Sequence, residues 1–215
     1  MNPEPKGERL VVLGGCFNPP TIAHMALIRH AMLHAMADGG VLVPSSQNYV
    51  ARKMRKTGGY VFSEEDRLRM VKAAIGDSRK ITYSTCEYGD DGRGHSYKTM
   101  LAVAKEHPGK ECCFMMGGDN LHILPRWHDI KAFLTEFRFV VISRDHDDAK
   151  KLIMANPLLR QHEDTFILIP PMTRFDDVSS TKARELLFAR RPTDHYLHPA
   201  VASICKLELA KQKLI

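Results

Sequence analysis

The sequence is short of everything that would make it a disulfide-stapled or membrane-spanning protein. Its 215 residues include five cysteines, Cys16, Cys86, Cys112, Cys113 and Cys205. An odd number with no C-x-x-C spacing, and adjacent Cys112 and Cys113 in an apolar run, argues for reduced thiols rather than a disulfide framework. No apolar run approaches the roughly 20 residues that cross a bilayer, so a membrane is not an expected partner. Residues 1–8 are polar, carry two prolines and lack the apolar core of a signal peptide. The expected setting is intracellular, the cytoplasm first, with a nucleus or organelle left open. There is no G-x-G-x-x-G, no H-E-x-x-H, no internal repeat and no low-complexity tract. The formal net charge of +6 is modest and the basic residues are dispersed. Nucleic acid, which needs a basic face, is therefore not an expected partner, whereas an anionic small molecule suits the balance.

What is present is an alternation of strands and helices. A hydrophobic content of 44% over 215 residues predicts a single domain, 1–215. Residues 1 to about 8 would be a flexible N-terminus and about 180–213 a helical subregion. Apolar runs at Arg9–Leu13 and Val41–Pro44 read as strands, and Met25, Ile28, Met32 and Met36 share a helical face. Ser45 to Phe62 is polar and basic and predicts a long mobile loop. Ser63 with Asp66 forms a capping signal for a helix marked by Leu68, Val71, Ala74 and Ile75. Further strands are expected at Ile81–Glu87, Cys112–Met116, Phe139–Ile142 and Phe166–Ile169. Helices are expected at Tyr97–Glu106, Ile130–Phe137, Asp147–Ala155, Ser180–Ala189 and Pro199–Lys213. The expected fold class is α/β: a Rossmann-like parallel sheet with helices on both faces and a helical C-terminal part. Ligands of such sheets gather at the carboxyl ends of strands, where Gly14, Pro44 and Gly117 lie.

Two passages carry chemistry. Gly14-Gly15-Cys16-Phe17-Asn18-Pro19-Pro20-Thr21-Ile22-Ala23-His24 joins the first strand to the first helix. The glycines let backbone N–H groups approach a ligand, the prolines stiffen the crossing, and His24 falls where a helix start favours an anion. Val178-Ser179-Ser180-Thr181-Lys182-Ala183-Arg184 is a serine-capped helix start. Arg184 follows Ser180 by one helical turn, so hydroxyl, backbone donors and guanidinium meet on one helix end, a set suited to polyphosphate. An ordinary capped helix with a solvated arginine is the plainer alternative.

Together these passages resemble the nucleotidyltransferase superfamily marked by [HT]-x-G-H, and within it the nicotinamide/nicotinate mononucleotide adenylyltransferases. Gly14 to His24 is similar to that family's G-[GS]-x-F-[DN]-P-x-[HT]-x-x-H. Gly117-Gly118-Asp119-Asn120-Leu121, with Trp127 and Ile130, is similar to its G-x-D-x-L…W…I block, and Ser179 to Arg184 to its S-S-T-x-x-R. The order and spacing agree from about residue 10 to residue 212. The resemblance implies adenylyl transfer from ATP to a pyridine mononucleotide, giving a dinucleotide and pyrophosphate, with magnesium carried by the ATP phosphates and no protein ligand to the metal.

It also implies site roles. His24 and Arg184 would be catalytic. Gly15, Cys16, Phe17, Thr21, His24, Gly117, Asp119, Ser180, Thr181 and Arg184 would bind ATP, Asp119 through the ribose hydroxyls. Lys53, Tyr97, Thr99 and Trp127 would bind the mononucleotide, Trp127 by stacking on the pyridine ring. Core readings stand beside some of these: Trp127 as a packed tryptophan, and Lys53 as one of four neighbouring cations with Arg52, Arg55 and Lys56. Asn18 and Thr21 stand where many bacterial members have aspartate and histidine, and look like the eukaryotic-type branch. Ala23 stands where many relatives have glycine. Acid or amide preference stays open, and a homo-oligomer is compatible with the sequence. A nucleotide sensor without turnover and an RNA-binding protein are the competing functions. His30 and His34 are read as solvated helix histidines.

Overall fold

The structure, a computed structural model, describes residues 7–57, 59–89, 95–142 and 149–214. Six strands form one sheet: β1 (Arg9–Gly15), β2 (Gly39–Pro44), β3 (Ile81–Tyr83), β4 (Glu111–Gly117), β5 (Arg138–Ile142) and β6 (Phe166–Ile169). Their order is β3-β2-β1-β4-β5-β6. β1 pairs β4, β4 pairs β5 and β5 pairs β6 in parallel, with Val12 opposite Phe114 and Val140 opposite Ile167. The helices among the described residues are α1 (Ile22–His34), α2 (Gln47–Thr57), α3 (Glu64–Ile75), α4 (Ser96–Glu106), α5 (Ile130–Glu136), α6 (Ala149–Ala155), α7 (Pro157–Gln161), α8 (Ser180–Phe188) and α9 (Pro199–Lys211). The strand order reverses at β1, whose neighbours are β2 and β4, which is where open α/β sheets place ligands. The expected Rossmann-like parallel architecture is the one observed.

The strands are near-continuous apolar runs, as sheets covered on both faces require. Val11, Val41, Cys113, Phe139, Val140 and Ile167 are fully buried. β2 begins two residues before the expected Val41 because Gly40 is part of it. A β-carbon there would come within 2.6 Å of the Ile28 side chain, so only glycine lets strand and helix approach this closely.

Two expectations need correction. Ser45–Phe62 is not a loop: α2 occupies Gln47–Thr57. Val50 and Met54, four apart on that helix, are buried at 0% and 8% exposure. The third strand ends at Tyr83, and the chain turns at 86–89. Ser84 there is buried, with its N–H donated to the Leu42 carbonyl. The short helix expected over Asp147–Ala155 is observed over Ala149–Ala155, with 147–148 outside the described residues; α7, started by Asn156 and Pro157, is additional. The Ser63 cap is as expected, its side chain accepting from Asp66 N–H.

Two compact units divide the chain. Met1–Leu13, Ile28–Val41 and His95–Thr173 make the first; Gly14–Leu27, Leu42–Gly94 and Arg174–Ile215 make the second. In the first, Phe133 is the centre of an aromatic cluster, 5.3 Å from Phe114, 4.6 Å from Phe139 and 5.8 Å from Phe137 between ring centroids. Arg9, fully buried, donates to Glu111 (2.7 Å) and to the Ala35 carbonyl (2.6 Å). Burial pushes the Glu111 carboxyl up, but hydrogen bonds from Arg9 and Arg138 outweigh it and hold the group below its ordinary range.

The second unit is centred on Phe62, Met70, Ala183, Leu187, Leu197, Val201, Cys205 and Leu209, where α3 packs on α9. Burial pushes the Cys112 thiol up to about 11, and those of Cys113 and Cys205 up to about 12. They are poor thiolates.

Candidate functional site

The loop after β1 is held in an uncommon conformation. Phe17 has φ +42, the left-handed region that disfavours a side chain, and such residues cluster at functional sites. Its ring is 1% exposed and sits edge-on to His24, 5.1 Å between centroids. Gly15 leaves room for it, since a β-carbon there would lie 3.2 Å from the ring.

Asn18, 1% exposed, spends its whole carboxamide on one stretch. Nδ2 donates to the Tyr60 carbonyl (2.7 Å), and Oδ1 accepts from Phe62 N–H (2.9 Å). The amide orientation follows from these partners, one of which can only accept and the other only donate.

Thr21 fixes His24. Its backbone N–H donates to Nδ1 (3.0 Å), and its Oγ1 lies 2.7 Å from the same nitrogen. A backbone N–H can only donate, so Nδ1 is an acceptor and the neutral ring carries its proton on Nε2. His24 is thereby set as an Nε2–H donor.

The start of α8 is bonded to this loop. Ser179 caps the helix, its side chain accepting from Lys182 N–H (3.1 Å). Ser180 Oγ donates to the Pro19 carbonyl (2.8 Å), and Arg184 Nη1 to the Asn18 carbonyl (2.7 Å). Arg184 Nη2 also donates to Thr181 Oγ1 (3.3 Å), and the residue is 5% exposed. Gly59 backs onto the guanidinium: a β-carbon there would fall 3.0 Å from Nη2. The first-turn N–H groups of α8 and the positive end of its dipole thus stand beside the glycine loop. Burial pushes the Cys16 thiol up, while the charges of Lys53, Arg67 and Arg184 pull it down. Lys53 therefore lies within the field of the loop, on α2 rather than on a mobile segment, and is exposed.

The remaining expected site residues belong to the first unit. Asp119 is exposed at the end of β4, at the start of a 3-10 turn, Gly118–His122. Its Oδ1 accepts from Asn120 Nδ2 (3.2 Å) and lies so close over Gly117 that a β-carbon there would overlap it. Trp127 is half-buried, edge-on to Phe114 at 5.8 Å, with one part packed and one part accessible. Tyr97, on α4, donates its hydroxyl to Glu136 (2.7 Å) and lies 5.7 Å from Phe133. Thr99 is buried, and its hydroxyl turns back to the His95 carbonyl (3.4 Å). The rings of His30 and His34 lie 4.4 Å apart, tilted at 55°, with His30 Nε2 2.9 Å from the Pro170 carbonyl. No group of three or more potential metal ligands exists among the described residues.

In the second unit, then, the structure brings together Gly15, Cys16, Phe17, Thr21, His24, Lys53, Ser180, Thr181 and Arg184. Arg67 and Tyr60 carry no local sequence signal of their place at this site, and Asn18 stands out only as a variation. The change from aspartate to asparagine was the one available signal, because an amide needs an acceptor as well as a donor.

The chain is similar to known proteins in sequence and in fold. The cytidylyltransferase-like family model matches residues 12–186. A protein of Halalkalibacterium halodurans named "Probable nicotinate-nucleotide adenylyltransferase" is 29% identical over 193 residues, 88% of this chain and 84% of that one. One of Bacillus cereus with the same name is 31% identical over 137 residues, covering 64% of this chain and 70% of the relative. The Plasmodium falciparum nicotinic acid mononucleotide adenylyltransferase, solved with APC bound, shares the fold. Its TM-score is 0.66 at 17% identity, and 97% of each chain is covered.

Proposed function

The chain belongs to the cytidylyltransferase-like family and, within it, to the nicotinate/nicotinamide mononucleotide adenylyltransferases, and on that premise we propose how its own residues carry the reaction. ATP and a pyridine mononucleotide, nicotinate or nicotinamide, are the substrates. A 5′-phosphate oxygen of the mononucleotide attacks the α-phosphorus of ATP. The bond from that phosphorus to the α,β-bridging oxygen breaks, and pyrophosphate leaves. ATP enters as its magnesium complex, the ion held by phosphates and water.

Little covalent work falls to the protein, so positioning and charge stabilisation supply the acceleration. His24 donates from Nε2 to an α-phosphate oxygen, where charge builds, and Thr21 keeps the proton on that nitrogen. Ser180, Thr181, Arg184 and the first turn of α8 receive the departing pyrophosphate. Gly15, Cys16 and Phe17 offer backbone N–H groups. Asp119, acceptor-only when ionised, takes the adenosine ribose hydroxyls, with Gly117 leaving room beside it. Trp127 stacks its accessible part on the pyridine ring, and Tyr97 and Thr99 shape that pocket through ring and backbone, their hydroxyls being engaged. Lys53 meets the mononucleotide phosphate.

One observation carries the reading: two bonds across more than 160 residues of sequence, Ser180 to Pro19 and Arg184 to Asn18, join a cationic helix start to the loop that orients His24. The test is incubation with ATP and magnesium, offering nicotinate and nicotinamide mononucleotide in parallel, and assay of pyrophosphate and dinucleotide. Turnover with either supports the proposal, and the ratio of kcat/KM values settles acid or amide preference. No product from folded protein refutes it.

A further inference from the structure

Arg67 is the odd charge of the second unit. It is fully buried, at 0% exposure. Nη1 donates to the Cys16 carbonyl (3.0 Å) and Nη2 to Gln47 Oε1 (3.3 Å). The guanidinium lies 5.9 Å from the centroid of the Tyr88 ring, and Nε has no hydrogen-bond partner. No carboxylate forms an ion pair with it among the described residues; Glu64 accepts instead from Gln47 N–H (2.6 Å). Glu64 and Glu87 favour the charge from a distance, but a buried cation whose hydrogen-bond partners are all neutral is still expensive. If packing were its purpose, an apolar side chain of similar volume would serve as well or better.

The geometry gives the charge another purpose. The Gly15 carbonyl is held by Ser45 N–H (2.9 Å) and the Cys16 carbonyl by Arg67 (3.0 Å). In a trans peptide C=O and N–H point in opposite directions. The two bonds therefore turn the N–H groups of Cys16 and Phe17 to the other side of the loop, next to a residue held at φ +42. We propose that Arg67 is a positioning residue: it presents the Cys16–Phe17 peptide to the polyphosphate and sets a fixed positive potential behind it. The ligand brings its negative charge to the opposite face of that peptide. This rests on the adenylyltransferase reading above.

The test compares wild type, Arg67→Met and Arg67→Lys in three measurements: melting temperature, calorimetric affinity for α,β-methylene-ATP and for inorganic pyrophosphate, and kcat and KM with ATP and mononucleotide. Arg67→Met removes a buried charge but also the donor to the Cys16 carbonyl and Gln47 Oε1, so it is expected to melt close to wild type while its affinity for both probes falls tenfold or more. Arg67→Lys keeps the charge but not the fork, so it should recover part of the affinity with kcat still depressed. A melting temperature that falls while affinity stays within twofold overturns the proposal, and so does a parallel loss of both. Both make Arg67 an ordinary structural residue. Wild type that binds the probes but makes no dinucleotide refutes the reaction alone and leaves Arg67 to be judged by binding. Wild type that binds neither probe overturns both.

Discussion

Replacing Asn18 by aspartate changes one atom pair and should be felt throughout the loop. The introduced carboxyl can still accept from Phe62 N–H, but it turns an oxygen toward the Tyr60 carbonyl, to which Asn18 Nδ2 now donates at 2.7 Å. Losing that bond and leaving a partly buried carbonyl unpaired costs about 1–3 kcal/mol. An ionised oxygen facing another oxygen adds to it. Arg184, bonded to the backbone carbonyl of the same residue, offsets part of the charge but supplies no donor to Tyr60. A net loss of about 2–3 kcal/mol lowers the melting temperature by about 5–10 °C in a chain of this size.

The loss should depend on pH in a definite direction. Facing a carbonyl, the introduced carboxyl has a folded pKa above its unfolded value of about 3.9. The deficit is absent below that value and grows as pH rises through it, because the protonated form donates O–H to Tyr60. Thermal melts of variant and wild type, compared from acid to neutral pH, read this directly. A variant within about 1 °C of wild type at pH 7, or a deficit that widens on acidification, refutes the clamp.

His24→Ala should lower kcat by about 10²-fold or more, the scale of one lost transition-state donor, with an unchanged melting curve; pyrophosphate release measures it. Trp127→Ala should raise KM for the mononucleotide more than for ATP, whereas equal changes with lowered stability would mark a packing role. Glu111→Gln should destabilise the protein at neutral pH, since Arg9 would lose its carboxylate. Because the Glu111 pKa is held below its ordinary 4.5, its stabilisation is present above that value and lost as pH falls through the folded one. The melting curves of variant and wild type should therefore converge at acid pH.

Much of this molecule is legible in its sequence, for reasons that also explain the gaps. Buried parallel strands must be nearly all apolar, so Phe139–Ile142 and Phe166–Ile169 are plain to see. The Ser63 and Ser179 caps are local chemistry, visible within a few residues. α2 is different: only Val50 and Met54 mark its buried side, and Arg52, Lys53, Arg55 and Lys56 make the rest read as solvated chain. Arg67 sits in an acidic and basic helix start where an exposed arginine is the natural expectation. Its burial depends on Cys16, Gln47 and Tyr88, which no local pattern connects to it. The clamp formed by Asn18 is hidden for the same reason, since its partners are 42 and 44 residues away.

Those separations also set an order of events in time. A nascent chain leaves the ribosome N-terminus first, at about 5–20 residues per second. Tyr60 and Phe62 follow Asn18 by 42 and 44 residues, soon enough to take hold of it. Ser180 and Arg184 are 161 and 166 residues downstream of their partners Pro19 and Asn18, so the second hold comes on the order of ten seconds or more later. Until then the carbonyls of Asn18 and Pro19 must be satisfied by water. The growing chain thus carries its glycine loop without the helix start that completes it until α8 emerges. A chain released before α8 has the motif but not the site.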